Sequence, residues 1–343
     1  DEEDEAGAPE SPPTSCLQPA AGERSRKYRL AMATIVNNEG RWIAEWMIHH
    51  RLLGFDHFFI YDDRSTDDTR DVVRAFAGVG WATLHDDIPA IQRNEGIQVP
   101  EHVRFTPQFV IVQHAARHYV KDVEWLGFFD VDEFLLSQRK YRWCISALLA
   151  EAGPNQGVLR LQGKLFLPNV TVSQPLPPSH LLLGTARAYV PSKSVQGKDR
   201  VPLHKNFARP EAIAGEDHSG IHAMRPADSY KVHLVKLKDV TFAHFRYRTM
   251  ADFAAKQRKA YAGHANKAEV WVHLTRMLDK YTKNAAVIGP AHAIHRHLPF
   301  VRRDYRIFMR WWALAERPRP PLKLIASYGY RSAKTSYRID YGY

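Results

Sequence analysis

Cysteine is nearly absent: of 343 residues only Cys16 and Cys144 carry a thiol. Two cysteines build neither a disulfide framework nor a structural zinc site, and both read as inert thiols. No apolar run approaches the roughly 18 residues a membrane helix needs, so no segment spans a bilayer. A signal-peptide pattern is missing too. The first residue is Asp rather than Met, which reads as a processed or truncated chain, with room for an anchor upstream. Zinc-finger spacing and aromatic RNA-binding signatures are lacking, which excludes the common nucleic-acid modules. So is His-Glu-x-x-His, which argues against a hydrolytic zinc site. We find no internal repeat.

What is present is an ordinary globular composition, 45% hydrophobic, enough for a sizeable core. The net charge is +11, although residues 1–10 carry six acids and no base. A basic surface of this kind attracts phosphates, acidic glycans or anionic lipid, or simply keeps the protein in solution. Residues 1–27, rich in acids and Pro, lack periodicity and read as a disordered leader or stem.

From Tyr28 onward, strand and helix patterns alternate. Leu30 to Val36 is a short apolar run. Glu39 to Leu53 places Trp42, Ile43, Trp46, Met47 and Leu53 on one helical face, and Gly54 ends it. His57 to Tyr61 is a second strand, followed by the polar turn Asp62–Asp68, in which Ser65 is a candidate N-cap with Asp68 three residues on. Trp81–Leu84, a helix over Pro107–Tyr119 and the strand Trp125–Phe129 follow, and Met250–Tyr261 reads as a later helix. Alternation of this kind predicts an α/β fold with a Rossmann-like, mostly parallel sheet flanked by helices. Ligands of such sheets bind at the carboxyl ends of the strands. Both acidic clusters fall there, at Asp62-Asp63 and at Asp130-Val131-Asp132-Glu133.

The second cluster carries the sharper chemistry. Two aspartates leave a strand of Trp, Leu and Phe, and a buried strand end holds unpaired carboxylates only at high cost. A divalent ion that takes oxygen from carboxylates and from substrate phosphates resolves that cost, and it neutralises a leaving diphosphate. The competing reading is a loop pair that caps a helix or meets an arginine. At Asp62–Asp63, acceptors for a base and ribose compete with a plain turn.

These stretches also carry a resemblance. Val36-Asn37-Asn38-Glu39, Glu45-Trp46, Leu53-Gly54 and Ile60 to Thr69 resemble the opening of glycosyltransferase family 92 and its bacterial family 2-like relatives. Asp130 to Leu135 is similar to that family's metal motif, Lys205 to Pro210 to its Lys segment, and His244 to Arg248 to its His-Tyr-Arg segment, with Phe253 and Lys256 beyond. The resemblance implies a GT-A fold, a nucleotide-sugar donor (UDP-linked, with galactose as one candidate), a glycan acceptor, inversion, and a divalent metal, Mn²⁺ or else Mg²⁺. It assigns the metal to Asp130, Asp132 and His244, and donor binding to Asn37, Glu39, Asp62, Asp63 and Lys205. The family's usual Lys is replaced here by Asn37. Inversion needs a general base; Asp217, in the Gly215–Gly220 loop, is the candidate, with Glu211 and Asp228 as rivals.

The expected organisation is a leader over 1–27, a catalytic domain over 28–290 and a basic aromatic extension over 291–343. Residues 301–343 hold ten Lys or Arg against three acids, a tail suited to peripheral membrane contact. The leader and the Asn169-Val170-Thr171 sequon fit a Golgi stem behind an anchor; the cytoplasmic face of a bacterial membrane is the other setting. Two other functions stay in view. A sugar-phosphate nucleotidyltransferase needs a Gly-rich phosphate loop after its first strand, where this chain has Asn37-Asn38-Glu39-Gly40-Arg41. A non-catalytic glycan-binding scaffold has no need of intact Asp130 and Asp132.

Overall fold

The computed structural model describes residues 26–101, 103, 106–137, 144–168, 181–183, 186–190, 204–213, 221–222, 224–245, 248, 286–287 and 293–314. Asp217, the sequon, the helix expected over Met250–Tyr261, and the leader up to residue 25 lie outside them.

The first half is built of β1 (Tyr28–Val36), α1 (Gly40–Leu52), β2 (His57–Asp62), α2 (Thr69–Gly78), β3 (Ala82–His85), α3 (Ile88–Asn94), α4 (Thr106–His118) and β4 (Val123–Phe128). Its strands lie in the order β3-β2-β1-β4, all parallel. That is the expected Rossmann-like half, with element limits within a few residues of the sequence reading. The short helix α3 was not expected; Asp87 caps it by accepting from the Ala90 N–H at 2.8 Å, and Pro89 suits its first turn.

The second half contains β5 (Glu133–Ser137), α5 (Ile145–Ala150), β6 (Gln156–Pro168), β7 (Ala186–Val190), β8 (His204–Ala208), β9 (Lys231–Leu234), β10 (Val240–His244), β11 (Ala286–Val287) and α6 (Ala293–Leu314). Here antiparallel pairs enter. β8 lies antiparallel between β4 and β6. The long strand β6 runs with β8 and β9 over its first half and with β10 and β7 over its second. Gly163 sits at this change of partners, where a Cβ would meet the Phe242 ring at 2.3 Å.

Two cores flank the sheet. On one face Leu30, Met32, Phe58, Trp125, Phe129 and Phe207 pack with α1, α2 and α6. On the other, Ala31, Phe59, Tyr61, Leu126 and Phe128 pack with α3 and α4. Helix α6, assigned by sequence to the C-terminal extension, joins the first core through Val301, Tyr305 and Phe308, and Phe308 stacks on Phe76 at 5.0 Å. Among the described residues no helix is long and apolar enough to cross a membrane.

Two expectations need correction. Ser65 does not cap α2: Asp68 holds the N-cap position, and the Ser65 hydroxyl instead accepts from the Asn38 N–H at 2.9 Å. Cys144 is not a free thiol but disulfide-bonded.

A candidate donor and metal site at the carboxyl ends of the strands

The loop after β1 and the loop after β2 are stitched together. Asn38, at φ 58°, accepts from the Thr66 and Asp67 N–H groups at 2.7 and 3.2 Å. In return, Glu39 N–H donates to Thr69 Oγ1 at 2.8 Å and Gly40 N–H to Asp67 Oδ2 at 3.1 Å. The N–H groups opening α1, which a phosphate-binding loop would leave for its ligand, are therefore already used by protein. Gly40 permits the close approach, since a Cβ there would lie 2.9 Å from the Thr69 backbone nitrogen. Asn37 Nδ2 donates to the Asp63 carbonyl.

The two aspartates ending β2 are used differently. Asp62 is buried, accepts from the Ser65 N–H at 3.1 Å and pairs with Arg70 at 2.7 Å, so it braces the turn. Asp63 reaches solvent beside Arg64, at 2.9 Å. Glu39 is paired with the buried Arg248, whose guanidinium lies over the Trp42 ring at 5.4 Å.

Asp130 to Glu133 form the tight turn between β4 and β5. Glu133 N–H donates to the Asp130 carbonyl at 2.9 Å, while the Glu133 carboxylate accepts from Asp130 N–H at 3.0 Å. Lys205, fully buried on β8, places its ammonium 2.7 Å from Asp130 and 2.8 Å from Glu133. His244, at the end of β10 and in register with Glu133, brings Nε2 to 3.5 Å from Asp132 Oδ1. Asp132 is buried and its carbonyl accepts from Phe245 N–H at 2.7 Å, whereas Asp130 keeps 32% of its side chain exposed. The structure thus gathers Asp130 and Asp132, Lys205 and His244 from three separate stretches of sequence, and adds Glu133.

Electrostatics sort these acids. Burial opposes the charge on Asp130, but the Lys205 ammonium holds its carboxyl below the ordinary range. Burial, reinforced by Asp130 and Asp132, pushes Glu133 up to about 8 against the pull of Lys205. Burial works against the charge on Lys205 too, but Asp130 and Glu133 keep its pKa raised. Two carboxylates and an imidazole, with one carboxylate open to solvent, are a donor set that fits a divalent ion of the Mn²⁺ or Mg²⁺ kind.

Behind the turn, β5 pairs with β10 on one edge. Its other edge is met by side chains of α1. Trp46 Nε1 donates to the Glu133 carbonyl at 2.9 Å, His49 Nε2 lies 2.7 Å from the Leu135 carbonyl, and Leu135 N–H donates to His50 Nε2 at 3.2 Å. Backbone groups of alternate residues in a strand point the same way, so residues 133 and 135 present to the helix what 134 and 136 present to β10. The buried histidines on α1 therefore position the acidic turn.

Also on α1, buried Glu45 accepts from the Leu182 and Leu183 N–H groups at 2.7 and 2.9 Å. Burial pushes its pKa up to about 7, despite those donors and Arg41 and Arg248. A folded-state pKa above the unfolded value favours folding at low pH and loses that contribution as pH rises through the folded value. The stability of the wild type relative to Glu45→Gln should therefore fall between about pH 4.5 and about 7. Paired denaturant titrations across that window check it; a constant difference removes the assignment.

The rival bases sit elsewhere. Glu211 pairs at 3.0 Å with Arg26, which also donates to the Val123 carbonyl at the start of β4. Asp228 is exposed just before β9, which begins beside the start of β6. Both lie at the opposite end of the sheet from Asp130. Asp217 lies outside the described residues. Its loop, however, returns at Ile221, whose carbonyl accepts from Asn206 Nδ2 at 2.7 Å, next to Lys205.

The sequence profile of glycosyltransferase family 92 matches residues 26–294, taking in every one of these side chains. The chain belongs to glycosyltransferase family 92. It is 24% identical over 233 residues to a family 92 protein of Ricinus communis, covering 67% of this chain and 37% of that one. It is 21% identical over 236 residues to one of Arabidopsis thaliana, covering 67% and 37%. The chain thus spans less than two fifths of these curated relatives. Among solved structures, S. aureus TarS 1-349 in complex with UDP overlaps 84% of this chain and 93% of its own at 12% identity and TM-score 0.37. The complex of TarS 1-349 with UDP-GlcNAc gives 63%, 58%, 13% and 0.36. Family membership rests on the sequence match rather than on these loose overlaps. In this family 92 chain, the sequence places Glu133 in the acidic cluster and Glu45 in a family-like Glu-Trp pair but gives neither a role of its own. The signal for Glu133 was its position three residues after Asp130, the span of one tight turn.

Proposed function

We propose that this family 92 chain is a metal-dependent, inverting glycosyltransferase that moves a sugar from a UDP-sugar to a glycan acceptor. The observation that carries the reading is that His244 meets Asp132 at 3.5 Å, with Asp130 in the field of both, at the carboxyl ends of β4 and β10, where an α/β sheet binds its ligand. Asp130, Asp132 and His244 would hold a divalent ion such as Mn²⁺, which when bound supplies positive charge to the departing diphosphate. Lys205 keeps Asp130 ionised and fixes its inner oxygen, so the outer face of the carboxylate is presented to ligand. Asp63 and the Asn37–Glu39 loop form the rim for the nucleoside, with Glu39 oriented by Arg248. Asp217 is the candidate to take the acceptor hydroxyl proton, from a loop whose return is tied to β8 beside Lys205. The nucleotidyltransferase reading is disfavoured because Ser65, Thr69 and Asp67 already occupy the N–H groups opening α1. The disulfide at Cys144 fits an oxidising compartment such as a Golgi lumen. The basic tail beyond α6 remains the candidate for peripheral membrane contact.

A donor panel read by nucleotide release, with and without Mn²⁺, tests the proposal. Metal-dependent UDP release from one UDP-sugar, stimulated by a glycan, is the expected result. Silence across the panel favours a glycan-binding scaffold. On the same panel, Asp217→Asn should lower turnover strongly at unchanged donor affinity; unchanged turnover moves the base elsewhere.

A further inference from the structure

The face of the sheet covered by α3 and α4 carries a second cluster of ligating side chains, on elements separate from those that form the acidic turn. His114 and His118 lie one helical turn apart on α4, their rings stacked at 4.9 Å with 16° between planes. Spacing of i and i+4 puts two imidazoles on one helix face. Glu95, which caps the C-terminus of α3, brings Oε1 to 3.8 Å from His118 Nδ1. One ligand atom from each of the three lies within 4.8 Å of the others. His114 is buried, whereas Glu95 and His118 are exposed. Tyr61 on β2 meets His114 Nδ1 at 2.7 Å, and His85 stacks on Tyr61 at 4.5 Å while bonding Tyr119 at 2.8 Å.

We infer that Glu95, His114 and His118 form a second cation site, built for a borderline d-block ion such as Zn²⁺. Two imidazoles and one carboxylate are a ligand set such ions take, with a fourth position left to water. Mg²⁺ and Ca²⁺ prefer all-oxygen sites, which a pair of imidazoles does not offer. The Tyr61 contact engages the Nδ1 side of the His114 ring, which leaves Nε2 for the ion; metal-bound histidines characteristically have the other nitrogen held in this way. Tetrahedral ligand atoms on zinc stand about 3.4 Å apart. Contraction from 4.8 Å falls to the two exposed side chains, while the buried His114 stays fixed by Tyr61. The bound ion would clip α3 to α4 over the β2–β3 edge.

The test uses the full chain in an Asp132→Ala background, so that the acidic turn contributes no metal site. Chelator-stripped protein is titrated with Zn²⁺ against a chromophoric competitor. One equivalent should bind with micromolar or tighter affinity. Adding His118→Ala or Glu95→Gln should weaken it by at least about 100-fold, because each removes a ligand. Zn²⁺ should raise the Tm of the parent but not that of the His118→Ala variant. Both added changes are at exposed side chains, and circular dichroism checks that the fold persists. Zinc uptake that is unaffected by the two substitutions together, or absent from the parent, overturns the site. Neither outcome bears on the transferase reading, which is tested by nucleotide release.

Discussion

Asp132→Ala should cut transfer by roughly a thousandfold and abolish its response to added Mn²⁺, with the fold intact. The magnitude follows from the several kcal/mol that a metal-bound diphosphate contributes to the transition state. The intact fold follows from geometry: the Asp132 contact that ties β10 to the turn is its backbone carbonyl, accepting from Phe245 N–H at 2.7 Å, which alanine keeps. The side chain meets His244 at 3.5 Å, and that contact is lost. Steady-state kinetics across a metal titration, beside a thermal melt, separate the two effects. Retained activity at low metal removes the metal assignment.

Lys205→Met should be the most damaging single change to stability. Lys205 has no exposed side-chain surface and stands between Asp130 and Glu133 at 2.7 and 2.8 Å. Methionine fills its volume but leaves two acids at a buried turn without their cation, a loss of about 3–5 kcal/mol. The penalty depends on pH. Glu133 already has its pKa pushed up to about 8; without the ammonium it should rise further, and Asp130 should lose the pull that holds its carboxyl low. Protonation then relieves the repulsion, so the variant recovers stability relative to wild type as pH falls. Denaturant midpoints at pH 5 and pH 8 check this. An equal loss at both values assigns the damage to packing instead.

How much of this could be read from the chain? The parallel half could, because its strands are apolar runs and its helices keep one buried face. Asp130 and Asp132 stood out because charge at the end of a greasy strand demands a partner. The partner itself could not be read. Lys205 lies 75 residues from Asp130, and nothing local tells a lysine on a short strand to turn inward. The polar turn after β2 was ambiguous for a similar reason. Asp62 and Asp63 are neighbours of identical chemistry, yet one braces Ser65 and Arg70 and the other faces solvent. Strand β5 was missed because its five residues carry no alternation to read, being buried throughout.

The sequence by itself determined the alternation of strand and helix in the parallel half, the family, and which acids stand where a ligand binds. Hydrophobic periodicity and turn chemistry act over a few residues, and that range suffices for those features. Only the tertiary structure decided which charges neutralise one another, that α1 holds the acidic turn through Trp46, His49 and His50, and that Glu95 meets His114 and His118. Those pairings are set by burial and by distances across separate elements, where the cost of an unsatisfied group depends on what the fold packs beside it.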